Sequence, residues 1–245
     1  MTEKQWFKTG DEGLKRSQEL AEERERNQVN RLWLPVGKGA KITFLDSEGF
    51  FFSEHQIKLN GSWRNWFTCR SEFSECPLCE SGDRPSYVCA YTIIDHSKYT
   101  SKKTGKEVAN VKKLAVFKST VHNMWARRKS QDCDGDMTYC LFNIHRDKAE
   151  HTATGEDVQF VKRLSQAEVL RFKPAGMSDE EWMSPYDYME LFKPQSVDYL
   201  RNVVNMAPPI GADDQPSGGN GHGMPVPAGA QAVGGDADIE DLLLS

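Results

Sequence analysis

No run of the 245-residue sequence approaches the roughly 18 consecutive apolar residues that a membrane-spanning helix needs. The opening stretch, Met1-Thr2-Glu3-Lys4-Gln5-Trp6, lacks the apolar segment of a secretory signal, so a cytosolic protein is expected. Local signatures of catalysis are also missing. There is no P-loop, no Gly-rich dinucleotide turn and no acidic cluster spaced to hold two metals. His145, Asp147 and His151 lie close together in an apparent loop, but no nucleophile is partnered with them. The expectation is a non-enzymatic protein, with a nuclease-like use of these three residues as a minor alternative. Large apolar groups are nearly absent from residues 208–235, where Gly, Pro and Ala dominate, so that stretch reads as a flexible linker.

Basic residues are absent from 207–245, which hold six acids: Asp213, Asp214, Asp236, Asp238, Glu240 and Asp241. The formal net charge of −5 is therefore uneven, because the rest of the chain carries 31 basic against 30 acidic residues. Between Arg84 and Lys129 there are eleven Lys and Arg but only two acids, Asp95 and Glu107. A polyanion responds to this local excess, since exposed charges more than about 8–10 Å away are largely screened.

The sequence has six cysteines, and a reducing cytosol favours metal binding over disulfides for the clustered ones. Cys76-Pro77-Leu78-Cys79 is a knuckle whose two sulfurs can enter one tetrahedral site, with Cys69 as a third ligand. His55 is the favoured fourth ligand and Cys89 its competitor; the ion expected is a single structural Zn²⁺. Cys133 and Cys140 flank a turn and read as structural.

From Arg31 onward the pattern is β-like. Lys41-Ile42-Thr43-Phe44-Leu45 alternates after a Gly37-Lys38-Gly39 turn, and further strands are predicted at Phe50–His55, Trp63–Cys69, Tyr87–Asp95, Val108–Phe117, Met137–His145 and Val158–Leu164. Many short strands joined by turns suggest a small barrel or sandwich. A short helix is predicted at Val121–Lys129. After Leu164 the period changes to short helices, the first opened by a capping box, Ser165-Gln166-Ala167-Glu168, and the last spanning Ser196–Met206. Residues 11–28 are charged and helix-favouring.

Just after the cysteine cluster, aromatics interleave with cations. Arg84, Tyr87, Lys98, Tyr99, Lys102, Lys103, Lys106, Lys112, Lys113, Lys118, Trp125, Arg127 and Arg128 are the candidate nucleic-acid contacts. Cations follow phosphates and aromatic faces stack bases, the combination that holds single strands. Phe117 and Tyr91 alternate with apolar neighbours and read as core.

The order His55, Asn60-Gly61-Ser62-Trp63, Thr68-Cys69 and Cys76-Pro77-Leu78-Cys79 resembles the zinc segment of the single-stranded DNA-binding (helix-destabilising) proteins of T-even-type phages. Gly37-Lys38-Gly39-Ala40-Lys41-Ile42-Thr43-Phe44-Leu45 is similar to that family's first barrel strand, and Ser86-Tyr87 to the start of the strand after its zinc loop. The likeness covers residues 32–95 and the C-terminus. It implies a mainly β protein with peripheral helices: an OB-fold-like barrel with an inserted zinc-binding subdomain and a disordered acidic C-terminal tail. It implies coating of single-stranded DNA in phage replication, recombination and repair, in the cytoplasm of the infected host bacterium. The tail residues Asp236, Asp238, Ile239, Glu240, Asp241, Leu242 and Leu243 would then recruit replication and recombination proteins. Leu14-Lys15-Arg16-Ser17 resembles the motif through which neighbouring copies bind cooperatively, assigning that role to Lys15 and Arg16. Two departures stand out: this motif is displaced inward and followed by acids, and Val88 rather than an aromatic follows Tyr87.

The expected organisation is a charged arm over 1–30, an OB-fold-like core over 31–206 with the zinc subdomain at about 55–80, and a linker and acidic tail over 207–245. The rival reading is a zinc-ribbon adaptor that binds proteins only.

Overall fold

The computed structural model describes residues 10–15, 29–59, 61–100, 107–148, 152 and 154–207, apart from the side chains of Arg64 and Thr120. Arg16, Lys102, Lys103, Lys106, His151 and the tail residues 236–243 therefore lie outside the described residues. Residues 10–15 are helical, with Leu14 and Lys15 exposed.

Among the described residues ten strands follow: β1 (Asn30–Arg31), β2 (Lys38–Phe44), β3 (Phe50–Leu59), β4 (Ser62–Thr68), β5 (Ser86–Asp95), β6 (Tyr99–Thr100), β7 (Glu107–Val108), β8 (Val111–Lys118), β9 (Cys140–Arg146) and β10 (Asp157–Arg163). The helices are α1 (Pro77–Glu80), α2 (Ser119–Asp132), α3 (Gln166–Leu170), α4 (Asp179–Met183), α5 (Tyr188–Leu191) and α6 (Val197–Met206).

β5 organises the main sheet. Its run from Val88 to Asp95 is buried on both faces, as a near-continuous apolar stretch requires. One edge pairs along its length with β8, from Val88↔Lys118 to Asp95↔Val111. The other edge is shared: Ser86–Ala90 pair with β3, and Ile93–Asp95 with β2. β2 continues to β9 and β9 to β10, all antiparallel, while β1 joins β8 in parallel and makes the sheet mixed. The fold is mainly β, a mixed sheet with peripheral helices, and among the described residues the path β1-β8-β5-β2-β9-β10 does not return on itself, so no closed barrel is formed.

The main core lies between this sheet and α2. Phe44 meets Tyr91, Trp125 and Phe142 edge-on, with ring centroids 5.3, 5.0 and 5.8 Å apart. α2 exceeds the predicted Val121–Lys129 at both ends and turns Val121 and Trp125, one helical turn apart, into that core. Two predicted strands are shortened by left-handed residues: Asn110 at φ 57° separates β7 from β8, and Tyr139 at φ 63° delays β9 to Cys140. The C-terminal helices cover the opposite face, where Phe192 packs with Phe52, Ala90 and Leu114, and Trp182 with Ile94 and Val169. The predicted capping box is formed: the Ser165 hydroxyl accepts from the Glu168 N–H, and the Glu168 carboxylate accepts from the Ser165 N–H.

Candidate metal centre and nucleic-acid surface

His55 is near the middle of β3, and the β3–β4 hairpin returns Cys69 to it, just past the Glu54↔Thr68 pair. The loop from Arg70 then leads to the knuckle, where Pro77 opens α1 at a position that needs no N–H. The Glu80 N–H closes the turn on the Cys76 carbonyl at 3.0 Å.

These elements bring His55, Cys69, Cys76 and Cys79 together, with their ligand atoms all within 4.8 Å of one another. The Cys69 sulfur is 3.9 Å from that of Cys76 and 3.5 Å from that of Cys79. His55 Nε2 is 3.4 Å from Cys76 Sγ and 3.5 Å from Cys79 Sγ. A tetrahedral zinc with ordinary bond lengths sets S···S edges of about 3.8 Å and S···N edges of about 3.5 Å. The cluster can hold a metal ion, and its spacing is compatible with zinc. Cys89, the competing ligand, faces the main core with Phe44 and Phe117 and is not part of the cluster.

The surroundings suit metal ligation. His55 Nδ1 donates to Asp83 Oδ2 at 2.6 Å, which leaves Nε2 to face the sulfurs. Burial disfavours the imidazolium, but Asp83 and Cys69 outweigh it and raise the His55 pKa to about 9. Burial also opposes the Cys76 thiolate, yet the backbone N–H groups of Arg70 and Cys79 outweigh it and lower that thiol to about 7. Burial and the neighbouring sulfurs push Cys79 up to about 12. Protons bound at such ligands must leave when a cation binds. Asp83 was not anticipated from the sequence. The clue was available, since a ligating histidine usually donates its second ring nitrogen to a carboxylate.

Arg31 of β1 makes a buried fork on Glu54 of β3, at 3.0 and 2.6 Å, and lies 4.4 Å over the Trp66 ring of β4. The hairpin that supplies His55 is thereby tied to the first strand of the sheet.

The predicted nucleic-acid residues that the structure describes fall in different surroundings. Arg84, Tyr87, Lys118 and Arg127 are exposed. Lys98 is also exposed and pairs with Glu107 at 3.3 Å, whereas Arg128 pairs with Asp132 at 3.2 Å. Lys112 is bound to the carbonyls of Glu181 and Ser184, at 2.8 and 2.5 Å, and Lys113 to Asp95 at 2.8 Å. Tyr99 is half-buried beneath the Lys113 ammonium, 5.8 Å from its ring. Trp125 is 0% exposed among Phe44, Phe117 and Phe142, which corrects its assignment as a contact residue.

An aromatic that the sequence reading missed stands beside Tyr87. Phe51 is 40% exposed and Tyr87 51%; their rings stack at 5.9 Å and 22° across β3 and β5. His122 of α2 meets the Phe51 ring edge-on at 4.5 Å. Elsewhere, an open groove of about 530 Å³ runs over β2, β9 and β10, lined by Gly39, Lys41, His96, Asn143, His145 and Gln159. His145 Nδ1 pairs with Asp147 Oδ1 at 2.6 Å in its wall.

No protein-family model matches the sequence, and no curated protein matches it either.

Proposed function

We propose that the protein binds and coats single-stranded DNA, without catalysing a reaction on it. The observation that carries this reading is the exposed, stacked Phe51–Tyr87 pair with Arg84 and Lys118 exposed nearby in the chain and sheet. Two solvent-facing rings on adjacent strands offer a surface that base stacking would bury, at about 1–3 kcal/mol per base. The surrounding Lys and Arg would neutralise phosphates. On this reading the open sheet is a variant of the OB-type barrel, and the ion at His55, Cys69, Cys76 and Cys79 is a structural Zn²⁺. That ion keeps the β3–β4 hairpin beside β5 and supplies no chemistry to DNA.

The resemblance to T-even-type phage proteins supports the same function and adds its setting: phage replication, recombination and repair inside the infected bacterium. Lys15 and Arg16 would then touch a neighbouring copy, and Asp236–Leu243 would recruit replication proteins. The six tail carboxylates, on a linker spanning 208–235, would compete with DNA as a tethered polyanion.

The deciding experiment is titration with poly(dT), read by intrinsic tryptophan fluorescence at several salt concentrations. Quenching with an affinity that falls steeply as salt rises is the expected result. No response at low salt would overturn the reading and favour the zinc-ribbon adaptor.

A further inference from the structure

We propose that α6 is a working part of the metal centre, so that metal binding and docking of α6 form one coupled equilibrium. The only buried side chains of α6 are Leu200 and Val203, and both pack in one cluster with the ligands Cys69 and Cys76. Ile57, Phe67 and Leu78 complete that cluster, and Val204 and Ala207 rest against it. The polar ties converge on the same place. Arg70 donates to the Gln195 carbonyl at 2.7 Å, Arg201 pairs with Glu75 at 3.0 Å, and the Phe67 and Tyr199 rings lie 6.3 Å apart.

The dependence runs both ways. A ten-residue helix is shorter than the roughly 12–15 residues at which isolated helices become even marginal, so α6 needs a surface to bury against. That surface joins the β3–β4 hairpin, through Ile57 and Phe67, to the knuckle, through Leu78, with the ligands Cys69 and Cys76 packed between them. Local bonds such as Glu80 N–H to the Cys76 carbonyl and Ser81 N–H to the Pro77 carbonyl hold the knuckle's own turn, but the shared ion would tie it to His55 and Cys69, and without that tie the two halves of the platform beneath Leu200 come apart. Conversely, removing α6 exposes the sulfurs to water and speeds metal escape. Coupling between two binding events is reciprocal by thermodynamic necessity. The chain beyond Ala207 leads to the acidic segment, so the metal also fixes where that segment leaves the fold. This inference holds whatever the protein binds.

The test uses the full chain in two measurements. Hydrogen exchange with and without a chelator should show protection lost at amides 200–207 and at the knuckle, but kept in β2 and β9. Leu200→Ala should release metal to a chromophoric chelator on the order of tenfold faster. Val169→Ala, which opens a cavity under α3 and α4 instead, should leave that rate unchanged. Persisting protection of α6 after metal removal would overturn the proposal. Equal acceleration by Val169→Ala would do so too, as would loss of protection throughout the sheet. If Leu200→Ala does not fold, the exchange measurement on the unaltered chain still decides.

Discussion

The His55 imidazole and the Asp83 carboxylate face each other through Nδ1 and Oδ2 at 2.6 Å, with the ring fully buried and the acid reaching it from beyond the knuckle. Once the ring has given up its second proton to become a ligand, this contact fixes the tautomer in which Nε2 is the lone-pair donor. Asp83→Ala should weaken metal binding by about 10–100-fold, measured by competition with a chelator of known affinity. Asp83→Asn should recover part of the loss, because its amide oxygen can still accept from Nδ1. An unchanged affinity in both variants would remove Asp83 from the metal site.

Tyr87→Ala and Phe51→Ala should each cost about 1–3 kcal/mol of affinity for oligothymidylate, followed by anisotropy of a labelled strand. Trp125→Phe should keep native affinity, since that ring lies in the core. Arg84→Ala should chiefly flatten the salt dependence, by about one counterion in the slope. Full affinity in both aromatic variants would place the DNA elsewhere on the surface.

Asp46 sits where the C-terminal helices meet the sheet. Its Oδ2 accepts from the Tyr188 hydroxyl and from the Thr92 N–H, while its buried Oδ1 has no hydrogen-bond partner. Burial raises its pKa to about 6, against the opposing hydrogen bonds from Tyr188 and Thr92. The folded state therefore holds this proton more tightly than the unfolded chain, whose carboxyl has its ordinary value of 3.8. The stabilisation is full below that value and is lost as pH rises through about 6. Across this window the contribution amounts to about 3 kcal/mol at most. Urea unfolding of Asp46→Asn should lack this decline, and comparing the two proteins cancels the pH effects of the metal ligands. Parallel stability curves between pH 4 and 7 would contradict it.

Gly49 precedes β3 where the backbone crosses the main core. An added Cβ would collide with Cys89 Sγ and lie 2.8 Å from Tyr91 Cζ and 2.9 Å from its hydroxyl. Both neighbours belong to the central strand and are buried, so neither can swing away. Gly49→Ala should destabilise by about 1–3 kcal/mol in chemical denaturation. A native unfolding midpoint would show that the sheet can yield here.

What could be read in advance follows from how local each signal is. The cysteine ligands are legible because a Cys-x-x-Cys turn constrains its own geometry, and His55 because a hairpin carries it toward Cys69. Asp83 has no such spacing rule, since its role depends on where the loop after α1 places it. The strands of the sheet show themselves by alternation, but the parallel partnership of β1 with β8 joins residues more than eighty positions apart and has no local signature. Trp125 was misplaced because its charged neighbours outweighed a subtler pattern, the Val121–Trp125 repeat that turns one side of α2 inward. Phe51 was hidden for the opposite reason. In the run Phe50-Phe51-Phe52 successive side chains point to opposite faces, and composition does not say which ring faces water.

The shared edge of β5 sets an order of events for a chain made from its N-terminus. All four candidate ligands lie within residues 55–79, so they are synthesised before β5, which must later hold β2, β3 and β8 together. Closing a short loop costs little entropy compared with gathering strands far apart in sequence. The nascent hairpin and knuckle could therefore take up a metal ion while the sheet is still missing its central strand. Only when α6 emerges, more than a hundred residues later, does that early-formed module acquire its apolar cover. The first part of the molecule able to close is thus sealed by the last of the described helices to arrive.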